Sequence, residues 1–168
     1  MRPPLKVCRL VVSAHVMAFT ATGAAAADIL SPGDVIMVQA APAAIHFHDS
    51  DNHAKYSWLI GAEWEGKSRW IAGLSYFNNS FDQKCEYIYA GRVWTLGEDG
   101  SNWYVKMTGG LLLGYKEPYQ NKIPVNSNNG VGLGVVPALG YKMDRFNVQV
   151  NLLGTAGLMI TVGYDLFR

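Results

Sequence analysis

The chain has 168 residues, 49% hydrophobic and 16% charged, with a formal net charge of +1, 18 Gly and 2 Cys. That length and low charge fraction fit one folded domain and exclude a disordered polyelectrolyte. A balance this near neutrality gives no electrostatic case for nucleic acid, and two cysteines exclude a disulfide scaffold or a Cys-rich zinc module.

Arg2, Lys6 and Arg9 precede an apolar run from Leu10 to about Thr20, and Gly23 with Ala24, Ala25, Ala26 and Ala27 supplies small residues. This is the pattern of a secretory signal peptide over 1–27, cleaved before Asp28; a short membrane anchor is the alternative. Cleavage takes Cys8 away and leaves Cys85 with no intramolecular partner. Beyond the first thirty residues no 18-residue apolar run occurs, so no membrane-spanning helix is expected in the 28–168 domain.

Period two governs that domain. Eight strands are predicted, at about 35–48, 57–65, 69–80, 86–96, 102–116, 130–142, 145–153 and 157–167. In the third, Trp70, Ala72, Leu74 and Tyr76 oppose Ile71, Gly73, Ser75 and Phe77. In the fifth, Trp103, Val105, Met107, Gly109, Leu111, Leu113 and Tyr115 form a greasy face opposite Tyr104, Lys106, Thr108, Gly110, Leu112, Gly114 and Lys116. The sixth sets Val131, Leu133, Val135, Pro137, Leu139 and Tyr141 against Gly132, Gly134, Val136, Ala138 and Gly140. The last two alternate in the same way, Phe146, Val148, Val150 and Leu152 against Asn147, Gln149 and Asn151, then Leu158, Ile160, Val162 and Tyr164 against Gly157, Met159, Thr161 and Gly163.

An even number of such strands suits an all-β, eight-stranded antiparallel transmembrane β-barrel, because lipid offers no partner to an open sheet edge. Aromatics closing both ends of a greasy face resemble interfacial girdles. A soluble barrel of lipocalin type is the alternative, and it would carry its bulky apolar residues inside. Short turn signals at 65–67, 97–100, 142–144 and 154–155 alternate with longer polar stretches at 48–56 and 117–129, the outward loops. Export and barrel together place the protein in a bacterial outer membrane. Gly110, Gly132, Gly134, Gly140, Gly157 and Gly163 on the lumen face either leave room for a hydrocarbon chain or only permit strand coiling.

Chemistry-bearing residues fall at two junctions. His46 and His48 lie where the first strand runs out, and Asn78-Asn79-Ser80 follows the third. First and third strands run the same way, so His46 and Ser80 are expected on one rim. A His beside a Ser hydroxyl, with a third polar group to orient them, is the minimum for moving an acyl group. Other readings stay open: His46, His48 and His53 with Asp49 and Asp51 form a solvated loop or a weak metal pattern, and Asn and Ser are turn formers in their own right.

Phe77-Asn78-Asn79-Ser80-Phe81, with Glu86, Ile88, Ala90-Gly91 and Trp94 after it, resembles the segment around the catalytic Asp-Ser pair of PagP-type lipid A palmitoyltransferases. Val135-Val136-Pro137-Ala138-Leu139-Gly140-Tyr141 and Pro42-Ala43-Ala44-Ile45-His46 are similar to further parts of that family. The resemblance implies an outer-membrane enzyme that moves a palmitoyl or similar chain from a phospholipid donor to a lipid A acceptor, with a hydrocarbon-binding interior. It implies catalytic positions at His46 (His48 as fallback), Asn79 and Ser80, a substrate-lining set of Val93, Gly132, Gly134 and Pro137, and no metal or organic cofactor. The expected partners are membrane lipids and no nucleic acid, with the barrel a monomer.

The chain departs from that pattern in four places. Asn79 replaces an ionisable acid, and no room is left between Asp28 and Val35 for the family's amphipathic helix. Val93 stands where the floor glycine is expected, which would shorten the pocket and favour a chain shorter than palmitate. Pro137 matches one sheet-opening proline, implying lateral lipid access there, while the second falls at Leu153. Lys55, Lys84, Lys116 and Lys122 are candidates for holding lipid phosphates. Two other functions compete: a non-catalytic barrel for envelope integrity or adhesion, and a lipid A deacylase.

Overall fold

The computed structural model describes residues 30–47, 57–98, 100–119, 123, 125–127 and 130–168. The proposed signal segment, His48, His53, Asp49, Asp51, Lys55 and Lys122 lie outside them. The strands are β1 (Val35–Ala41), β2 (Ala44–His46), β3 (Leu59–Glu65), β4 (Trp70–Asn78), β5 (Lys84–Thr95), β6 (Trp103–Leu113), β7 (Val125–Ser127), β8 (Val131–Met143), β9 (Phe146–Leu152) and β10 (Gly157–Phe167). Every neighbour pairing is antiparallel, and β1 pairs with both β3 and β10. The sheet therefore closes on itself. β2 continues the wall that β1 begins, and β7 is a side pairing on β8, so the closed wall has eight staves.

Two elements differ from expectation. The first strand breaks at Pro42–Ala43, where a residue without an N–H interrupts the ladder. The stretch 117–129, expected as loop, contains β7, which pairs with Val131–Leu133.

Side chains alternate as the period predicts. Ile60, Leu74, Ile88, Leu111, Leu133 and Ile160 are exposed on the outer wall, while Ser75, Tyr87, Tyr89, Lys106, Thr108 and Thr161 are buried inside. An outer surface this apolar, around a polar interior, is the surface of a barrel whose solvent is lipid. Trp70, Trp94, Trp103, Tyr141, Phe146 and Tyr164 gather near one end of the staves, with edge-on contacts such as Trp103 to Tyr141 at 5.0 Å. That end carries the turns at 66–69, 96–102 and 144–145; the opposite end carries the connections at 47–58, 79–83, 114–130 and 153–156. There Trp58 meets Tyr76 edge-on at 5.6 Å, with the Lys84 ammonium 5.1 Å above the Trp58 ring. Tyr115 leaves the greasy face assigned to it, because Gly114 takes φ +104 and ends the alternation at Leu113.

The lower lumen is filled. Lys106 Nζ and Tyr89 Oη both donate to Glu63 Oε2 at 2.9 Å, and Gln39 Nε2 donates to Tyr89 Oη at 3.0 Å. Below them Gln149 Nε2 donates to Asn147 Oδ1 at 3.2 Å, and Lys142 pairs with Asp165 at 2.8 Å. Several lumen glycines seat rings here rather than leave space: a Cβ on Gly73 would strike Tyr89, and one on Gly140 would strike Tyr104. Lys106→Met leaves a buried carboxylate without its cation, and is expected to cost about 3–5 kcal/mol in urea unfolding from micelles followed by Trp fluorescence. Glu63→Leu added to Lys106→Met is expected to restore most of that loss.

Candidate functional site

His46 reaches the lumen through a one-residue insertion. β1 pairs Ala40 with Val162, and β2 pairs Ala44 with Met159, so β1–β2 advances four residues while β10 advances three. An unbroken strand would keep even-numbered residues on the outer face with Val38 and Ala40, and His46 would point into lipid. The bulge at Pro42–Ala43 reverses the alternation and turns Ala44 and His46 inward. Gly157 lies directly opposite His46; a Cβ there would strike the Ile45 carbonyl oxygen, so this close approach requires glycine.

Ser80 sits in the tight connection from β4 to β5, and its Oγ lies 2.5 Å from His46 Nε2. Asn79 builds that connection. Its Oδ1 accepts from the Phe81 and Gln83 N–H groups, both at 2.9 Å, and its Nδ2 donates to Gln83 Oε1 at 3.3 Å and Cys85 Sγ at 3.4 Å. Those contacts use both acceptor sites and both amide protons, so Asn79 is a loop former and not the group that orients His46. Asp82 is likewise occupied: it accepts from Asn78 Nδ2 at 2.8 Å, with its backbone at φ +59. Lys84 donates to Asn78 Oδ1 at 3.0 Å on the outer side of the same loop.

The His46–Ser80 pair stands at the mouth of a cavity of about 530 Å³ in the upper half of the barrel. Ala44, Leu59, Phe77, Leu112 and Met159 make its shaft apolar, and Gln39, Tyr89 and Lys106 form a polar floor. Of the four expected lining residues, Gly134 alone lines it. Val93 pairs in register with Lys106 at floor level, so Tyr89 and Lys106 set the depth, not Val93. Gly132 lies beneath Ile123 and Val125, whose atoms a Cβ would touch at 3.0–3.3 Å. Pro137 shares the outer face of β8 with Val135 and Leu139, and bounds an opening instead of lining the shaft. On that side of β8 the β7 ladder ends at Leu133 and the β9 ladder starts at Ala138, so Gly134–Pro137 has no strand partner there among the described residues. Leu133 and Val135, both outer-wall residues, reach the cavity through this gap. The Gly134 and Val136 carbonyls accept from the Tyr87 and Thr108 hydroxyls, each at 3.2 Å.

Two residues at the mouth were not singled out from the sequence. Tyr115 turns inward beside Asn79; burial pushes its phenol up to about 12, so it stays a neutral donor at physiological pH. Ser57 is 4% exposed and lines the same mouth. Strand alternation running back from Leu59 would have marked it as inward. Among the described residues no group of three or more His, Cys, Asp or Glu side chains could hold a metal ion.

No protein-family model matches the chain, and no curated protein matches it. Among solved structures it is similar to the outer membrane protein Ail of Yersinia pestis in a phospholipid bilayer nanodisc. That similarity has 13% identity and a TM-score of 0.48, over 79% of this chain and 99% of that one.

Deleting Ala43 removes the inserted residue but keeps Ala44–His46 opposite Met159–Gly157, so His46 is expected to stay on the lumen face. The barrel should still migrate as a folded species on unboiled gels, and the ¹⁵N signal of a hydrogen-bonded His46 Nε2 should persist.

Proposed function

We propose that this chain is an acyltransferase of the bacterial outer membrane, taking a fatty acyl chain from a phospholipid and passing it to lipid A. The observation that carries this reading is the His46 Nε2–Ser80 Oγ contact of 2.5 Å at the mouth of an apolar shaft. A hydroxyl and an imidazole at that distance are a nucleophile and its base, and the shaft supplies a place for the chain of the acyl group they act on. The membrane follows from the apolar outer wall and closed ladder, the arrangement of bacterial outer-membrane barrels. The resemblance around Ser80 and Pro137 supports the same substrates, and the gap at Gly134–Pro137 supports lipid access from the side.

In this mechanism Ser80 Oγ attacks the donor ester carbonyl, and its proton passes to His46 Nε2. The ester C–O bond breaks, and the departing lysophospholipid oxygen takes that proton. A lipid A hydroxyl then gives its proton to His46 as its oxygen attacks the acyl-serine, and Ser80 leaves with the proton restored. From Ser80, in the β4–β5 connection, down to Ser75 in β4 the shaft spans five residues, a depth of at most about 13 Å at the usual strand rise and tilt. An extended palmitoyl chain is longer than that, so a shorter chain is the preferred cargo.

A second reading, a non-catalytic barrel serving envelope integrity or adhesion, is favoured by the amide at Asn79, which stands in for an acid and is spent on its own loop. A deacylase would use the same pair with water as the acceptor.

Mass spectrometry of lipid A separates the three. Cells expressing the chain are expected to gain an acyl group shorter than palmitoyl, and Ser80→Ala or His46→Ala is expected to lower that product about a thousandfold. Addition of palmitoyl alone would overturn the chain-length assignment. Lost mass would mean deacylation, and unchanged lipid A in every strain the silent barrel.

A further inference from the structure

We infer that Ser57 is the hydrogen-bond donor that receives the carbonyl oxygen of the bound acyl group, a contact that rests on the acyl-binding reading of the cavity given above. Ser57 is 4% exposed, and its Oγ meets no hydrogen-bond partner among the described residues. A hydroxyl out of water with nothing to bond is unfavourable, so it persists where a ligand completes it or where function retains it. It is also aimed at the right place. Ser57 lies on the inward parity of β3, two residues before Leu59, and the adjacent Trp58 carbonyl accepts the Asn78 N–H at 3.0 Å. That bond ties it to the strand end that delivers Asn79 and Ser80, and Ser57, His46 and Ser80 all line one mouth.

The three groups divide the chemistry. Ser80 and His46 satisfy each other, so neither is free to hold the carbonyl oxygen while Ser80 Oγ is directed at its carbon. A separate donor beside the pair meets that need, and its bond strengthens as the carbonyl oxygen gains negative charge. Ser57 is thus a carbonyl-positioning residue whose effect depends on the ligand having a carbonyl at all.

The test compares two probes of equal chain length and headgroup: dodecanoyl lysophosphatidylcholine, an ester, and its alkyl ether analogue, which lacks the carbonyl. Binding is measured by NMR titration of the full chain in amphipol, in a Ser80→Ala background so that no turnover intervenes. The ester should bind about five- to tenfold more tightly than the ether. Ser57→Ala should erase that difference by weakening ester binding alone, and Ser57→Thr, which keeps the hydroxyl, should restore it. Equal effects of Ser57→Ala on both probes, or no effect on either, would overturn the assignment, as would absence of binding by both probes to a chain that migrates as folded on unboiled gels. Because the readout is binding, unchanged lipid A in cells would remove the acyltransferase reading without touching this result.

Discussion

Backbone hydrogen bonding in a medium that cannot supply a partner is the constraint from which this molecule is built. A peptide N–H or C=O facing hydrocarbon with nothing to bond costs several kcal/mol, so the sheet closes, with β1 held between β3 and β10. Closure then divides every stave into a lipid face and a lumen face, and that division explains the composition of both. The place where closure lapses is correspondingly specific. At Gly134–Pro137 the ladder to the next stave is absent among the described residues, a proline without a donor sits at its edge, and lumen hydroxyls bond two carbonyls of the exposed segment. That segment adjoins the cavity.

The inserted residue at Pro42–Ala43 decides which side the His46 imidazole falls on. Strand alternation is binary, so a single extra residue changes the side on which everything after it falls. Here the change applies to a segment of three residues, Ala44–His46, and its result is an imidazole within bonding distance of Ser80. Glycine opposite, at Gly157, lets the displaced strand lie close to its neighbour. The site thus depends on a backbone irregularity as much as on the identity of its residues.

The eight staves could be read from the sequence because period two is strong wherever one face meets lipid and the other does not. The rim shared by His46 and Ser80 followed from strand direction alone. What could not be read were features in which one residue depends on a distant one. The lumen glycine at 140 looks like empty space in a linear reading, yet it accommodates the Tyr104 ring of a neighbouring stave, as Gly73 accommodates that of Tyr89. Asn79 has the position of an orienting group, but its amide is used within its own turn. Val93 occupies the expected floor position, while the floor is made by Tyr89 and the Lys106–Glu63 pair. The bulge had a visible sign in Pro42, though not one that gives the direction of the flip.

The filled lower lumen has a consequence for the cell. A cylinder of protein set in a permeability barrier threatens to become a leak. The ion pair of Lys106 with Glu63, and the amides and second ion pair beneath it, stand across the bore like a bulkhead. A chamber can therefore open toward the bilayer above while nutrients, dyes and antibiotics find no conduit through the protein below.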